Sequence, residues 1–149
     1  MFEEKAPTAR SIEQLRGLEG GKVKVLYKEI ASSCGVEWTG RDINSALSST
    51  LNRAISGGNA ALYGLVESVI LALGYSPAIG FVHTGDPRSF VFDIADCLKF
   101  RTVVPAAMLL AKESDLDIEG RIRRRCRDLF MEEKMSQRIV TILDEVCAL

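Results

Sequence analysis

The sequence predicts an all-α fold built as a single helical domain. Three observations carry this. Apolar residues recur at helical spacing over nearly every long segment, and few runs alternate as strands do. The segments are separated by glycine, proline and serine or aspartate capping signals. The chain has 149 residues, 47% of them hydrophobic and 26% charged, enough for one soluble core that buries about 70% of the unfolded surface. No internal repeat or low-complexity tract interrupts it.

Ser11, with Gln14 three residues on, reads as a capping box. Ile12, Leu15, Val23, Leu26 and Ile30 then form the apolar stripe of a first helix that stops at Gly35. Val36 to Arg41 is a turn-rich link with room for a small extended piece at Trp38. Asp42 caps a second helix to about Ser56, punctuated by Gly57-Gly58. A third runs from about Asn59 to Leu73, nearly uncharged apart from Glu67, as a buried central helix should be, and Gly74 ends it. Tyr75 to Arg88 is loop, with Pro77, Gly80, Gly85 and Pro87. Its apolar centre, Ile79, Phe81 and Val82, predicts a loop pinned against the core. Ser89 caps a fourth helix, about Phe90 to Phe100, and the next spans Thr102 to Glu113, with Pro105 tolerated in its first turn. The acidic run Ser114 to Glu119 separates this from a helix at Ile118 to Met131, and a last helix covers about Ser136 to Cys147.

Nineteen basic and twenty acidic residues leave a net charge of −1, so affinity for nucleic acid must come from local patches. Cys34, Cys97, Cys126 and Cys147 fit neither a CxxC zinc pattern nor a dense disulfide framework, and a reducing cytoplasm is expected. The most apolar segment, Leu65 to Val82, is broken by Glu67, Gly74, Pro77 and Gly80. Neither a signal peptide nor a membrane span is expected.

Several residues break the pattern. Glu19, at i+4 from Leu15 and i−4 from Val23, puts a carboxylate on an apolar stripe. Buried unpaired it costs several kcal/mol, so it is protonated, paired with Arg16 or Lys22, or bound to a metal. Gly17, Gly20 and Gly21 beside it predict a close approach to the helix backbone. Asp93 and Asp96, at i and i+3, converge on one face, while Val91, Ile94, Ala95 and Leu98 take the other. Phe92, Asp96 and Lys99 form a row of ring, carboxylate and ammonium. The alternative for the acid pair is a solvated face. His83 is the only histidine, and one imidazole with carboxylates suits Mg²⁺ or Mn²⁺ better than structural zinc. Residues 121–127 hold five arginines, of which Arg123 and Arg127 share a helix face as phosphate contacts would; a solvated or partner-facing patch is the alternative. Cys126 reads as a buried apolar residue.

The segments Glu13-Gln14-Leu15-Arg16-Gly17-Leu18-Glu19-Gly20, Leu62-Tyr63-Gly64, Gly74 to Gly85, Ser89 to Asp96 and Cys126-Arg127-Asp128 resemble the CRISPR-associated spacer-acquisition integrase family. The likeness is to the catalytic helical domain of its type I-E form and runs from about Ser11 to Val146. The resemblance implies a metal-dependent DNA endonuclease and integrase that inserts short foreign DNA segments into a repeat array, working with a small partner subunit and as a homodimer in the full-length protein. It further implies a prokaryotic cytoplasmic location. By position it makes Glu19, His83 and Asp96 ligands of Mg²⁺ or Mn²⁺ and Asp93 the adjacent essential acid. Arg16, Lys22, Lys24, Lys99, Arg123 and Arg127 become candidates for phosphate contacts, and Tyr63 and Phe92 for stacking or positioning of DNA. Asp86 stands where the family leads one to expect a lysine, and Phe92 where a tyrosine is usual. The family's N-terminal β-rich domain has no counterpart in these 149 residues, so an isolated catalytic domain is expected. Two rivals follow: a non-catalytic DNA-binding or oligomerisation module derived by truncation, and an all-α metal-binding regulator reading DNA through the arginine helix.

Overall fold

The computed structural model describes the backbone of residues 12–40 and 46–148, and the side chains of residues 20–40 and 49–148. Six helices follow in order: α1 (Ile12–Cys34), α2 (Ala46–Ala72), α3 (Ser89–Lys99), α4 (Val103–Glu113), α5 (Ile118–Glu132) and α6 (Met135–Cys147). No strand forms among the described residues, and 36–40 is coil. Trp38 nonetheless has a defined place: its ring stacks on Tyr27 at 4.8 Å between centroids, and Phe100 meets Tyr27 edge-on. The expected caps at Ser11 and Asp42 lie outside the described residues.

Helix α2 is the axis of the bundle and packs against α3, α4, α5 and α6. It buries Leu51, Ile55, Leu62, Val66 and Ile70 along one stripe. Facing them are Val91 and Ile94 of α3, Met108 of α4, Ile118 and Ile122 of α5, and Met135, Ile139 and Leu143 of α6, all essentially fully buried. Each such side chain contributes about 1.5–3 kcal/mol through removal from water. Ser49–Ala72 is long and apolar enough to cross a membrane, and its stripe of Leu51, Ile55, Leu62, Val66 and Ile70 is buried in the core.

The expected break at Gly57-Gly58 is absent, and the second and third helices of the sequence reading are one. The glycines serve a close crossing. A Cβ built on Gly58 would stand 2.4 Å from Val103 Cγ1 and 3.2 Å from Ile122 Cγ1, and one on Gly57 would stand 3.1 Å from Ile122 Cγ2. Only hydrogen at both positions lets α2 meet the start of α4 and the middle of α5.

Ion pairs join the acidic run before α5 to α2. Arg53 Nε and Nη2 donate to the two Glu119 oxygens at 2.6 and 2.9 Å, and Asp115 Oδ1 accepts from Arg53 Nη1 at 3.0 Å and Thr50 Oγ1 at 2.8 Å. Hydrogen bonding by Arg53 holds the Glu119 carboxyl down at about 2, against an ordinary 4.5. The pair is exposed, so it fixes geometry more than it adds stability.

Candidate metal and DNA site

The site forms where the loop after α2 meets the first turns of α3. The loop is pinned, but not by its apolar centre: Ile79 is 73% exposed and Phe81 56%. Hydrogen bonds hold it instead. Pro77 O accepts the Phe90 N–H at 2.8 Å. The Asp93 carboxylate accepts three consecutive loop amides, Phe81 (2.5 Å) and Val82 (3.0 Å) on Oδ2 and His83 (3.0 Å) on Oδ1. Oδ1 also meets the His83 ring at Nδ1, 2.6 Å away. An acceptor-only carboxylate requires the proton on Nδ1, which leaves the Nε2 lone pair of the neutral ring free for a ligand. Gly80 makes room for this latch. A Cβ there would lie 2.4 Å from His83 O, 2.8 Å from Ser89 C and 2.9 Å from Asp93 Oδ2. Ser89, expected as a cap, is the first residue of α3; its hydroxyl donates back to Asp86 O at 2.8 Å.

The expected convergence of Asp93 and Asp96 is corrected. Asp93 turns toward the loop, its side chain 8% exposed, whereas Asp96 Oδ1 pairs with Lys99 Nζ at 2.6 Å. Each carboxylate has its own partner. Lys99 is corrected with it: buried, bonded to Asp96 and lying 4.9 Å from the Phe100 ring centroid, its ammonium is not free for a phosphate.

Phe92 is half-buried, with its ring edge-on to Tyr63 (5.1 Å) and His83 (5.7 Å). Phe92 therefore bridges Tyr63 of α2 and His83 of the loop, and its ring covers one side of the imidazole. The sequence reading passed over Arg88, whose guanidinium carbon sits 5.2 Å from the Phe92 centroid. An arginine four residues before an aromatic on a helix start was the available signal.

Other candidates lie further off or beyond description. The side chains of Arg16 and Glu19 are outside the described residues, although their backbone is helical in α1. Gly17 is likewise undescribed as a contact. At Gly20 and Gly21 nothing among the described residues lies within 4 Å of an added Cβ, so the expected close approach there is not seen among them. Lys22 and Lys24 are exposed on α1. The arginine run is largely spoken for: Arg121 bonds Glu113, Arg124 bonds Asp117, Arg125 bonds Glu132, and Arg127 bonds the adjacent Asp128 at 2.8 Å. Arg123 is exposed with no ion pair among the described residues. Helix α5 makes no contact with α3, so the run is not brought against His83. Cys126 is buried, and burial pushes its thiol up to about 11, out of reach of thiolate chemistry. No three His, Cys, Asp or Glu side chains gather as a metal-binding group among the described residues. What they do show are two donor groups of types that suit a hard or borderline cation: an oriented imidazole on the loop, and on α3 the Asp96 carboxylate, bonded to Lys99 through Oδ1.

Compared with known proteins, the chain matches the family model described as CRISPR associated protein Cas1 over residues 2–145. It is 50% identical over 148 residues to CRISPR-associated endonuclease Cas1 3 of Methanospirillum hungatei, covering 97% of this chain and 50% of the relative. It is 45% identical over 150 residues to CRISPR-associated endonuclease Cas1 of Escherichia coli K12, covering 99% of this chain and 49% of the relative. A crystal structure of a TtCas1–DNA complex is similar with a TM-score of 0.79 and 41% identity, over 95% of this chain and 52% of that one. The chain spans about half the length of the curated relatives it matches.

Proposed function

Because the chain belongs to the CRISPR-associated Cas1 family, we propose that it is a metal-dependent DNA endonuclease and integrase domain, one that joins short foreign DNA segments to a repeat array by transesterification. The observation that carries this reading is the latch of Asp93 on His83 beside Asp96. A histidine whose Nδ1 is held by a carboxylate is the usual arrangement behind a metal-ligating Nε2.

Glu19, His83 and Asp96 are the residues that would hold Mg²⁺ or Mn²⁺. The ion would supply Lewis acidity at the scissile phosphate and offset the charge that builds there during in-line attack. Asp93 is a positioning residue in this scheme. Its four acceptor contacts fix the loop and stop the imidazole from rotating, so the ring is aimed before substrate arrives. Lys99 balances the charge of Asp96 and steers its carboxylate through Oδ1. Tyr63 and Phe92 exclude water from one side of His83 and offer ring surface to a base. A DNA 3′-hydroxyl attacks phosphorus as the bond to the leaving oxygen breaks; water in its place gives cleavage. Lys22, Lys24, Arg123 and Arg127, with Arg16, would extend phosphate contacts beyond the centre. A small partner subunit and a second copy of the protein would hold the DNA ends in register.

The test is cleavage of branched DNA by the purified chain with Mn²⁺, beside His83→Ala and Asp96→Ala. We expect cleavage that both substitutions abolish. Cleavage that persists in both variants, or without divalent metal, overturns the reading.

A further inference from the structure

We propose that Arg88 is a DNA phosphate-gripping residue of this site, set in place by Phe92. The assignment rests on the reading of the site as a DNA site and deepens it. Arg88 is exposed and makes no ion pair among the described residues. Asp86, two residues before it, meets its backbone instead: Asp86 Oδ1 accepts the Arg88 N–H at 2.8 Å, shaping the turn into α3. The guanidinium instead packs on the Phe92 ring, 5.2 Å from its centroid. Contact with a ring leaves N–H donors of the exposed guanidinium, the groups that match a phosphate, available to solvent.

The same ring touches His83 at 5.7 Å, so one aromatic side chain sets the spacing between a cation and the imidazole. A phosphate held at Arg88 therefore places the neighbouring nucleotides of that strand at His83. Closer in, Lys99 is already paired with Asp96, and the His83 ring is hydrogen-bonded to Asp93. Arg88 therefore adds attraction for the strand beside His83 itself, where the arginine run of α5 does not reach. Docking on Phe92 also removes much of the side-chain freedom that an exposed arginine loses on binding.

The experiment measures affinity of the chain for branched DNA by fluorescence anisotropy across a salt series without divalent metal. Arg88→Ala should weaken binding about tenfold and lower the slope of log affinity against log salt by about 0.9, one phosphate contact. Arg88→Lys should keep the slope and recover only part of the affinity, because an ammonium lacks the planar fork. Circular dichroism melts should show both variants as stable as the parent, since the side chain is exposed. Affinity and slope in Arg88→Ala that equal the parent's overturn the assignment. The reading of the site fails separately: it is lost if His83→Ala cleaves normally, whatever Arg88→Ala does to the salt slope.

Discussion

Asp93 and Asp96 show what one-residue chemistry reveals and what it hides. Residue type and spacing were enough to single out both, along with His83, as groups that a solvated helix does not need. Their partners were not legible, because an i, i+3 relation places two β-carbons on one face but leaves each side chain free to turn. Asp93 turned to the loop and Asp96 to Lys99, so what looked like a converging pair is two carboxylates with separate partners. Gly80 was read as loop punctuation, yet its lack of a side chain is what admits the latch. We predict that Gly80→Ala costs about 1–3 kcal/mol, since the added carbon meets the His83 and Ser89 backbone rather than a side chain that could swing away. Urea unfolding of the variant checks this, and an unchanged midpoint would show that the loop yields freely.

At the scale of elements, the helical period located every helix described, with ends within a residue or two over α3 to α6. The mistakes came where local signals have two meanings. A Gly-Gly pair reads as a break, but inside a long apolar helix it also permits neighbouring helices to cross closely, and nothing in α2 itself announces Val103 and Ile122. On α1 the stripe Val23, Leu26 and Ile30 does pack against the core, partly buried, but the deepest residues are Ala31 and Tyr27, the latter held by the rings of Trp38 and Phe100 from elsewhere in the chain. The two meanings of the glycines differ in sign. A solvent-facing helical glycine gains about 1 kcal/mol of stability on replacement by alanine. At a crossing the replacement overpacks, and we predict that Gly58→Ala instead destabilises by about 1–3 kcal/mol. Thermal or denaturant unfolding decides, and a stabilised variant would mean that the crossing opens at little cost.

Over the whole molecule, the arrangement of helices around α2 explains why the sequence could not say which candidates act together. Helices α3 and α5 lie against different parts of α2 and do not touch, so the arginine run and the His83 site are separate surfaces however suggestive their composition. Helix α1, which carries Glu19 in its N-terminal part, packs among the described helices on α4, with Lys112 of α4 donating to Cys34 O at its far end. The bundle thus holds α1 from one side. An ion shared by Glu19, His83 and Asp96 would join two helices that make no direct helix–helix contact among the described residues, and would make their opening a single event instead of two. In amide hydrogen exchange, Mn²⁺ should then slow the backbone of α1 together with the 81–83 loop, and Asp96→Ala should diminish both effects in step. Slowing confined to the loop would remove Glu19 from the ligand set. The stability of the first helix would thus be a property of the bound metal as much as of the chain, so that loss of the ion loosens a segment whose own contacts face the other way.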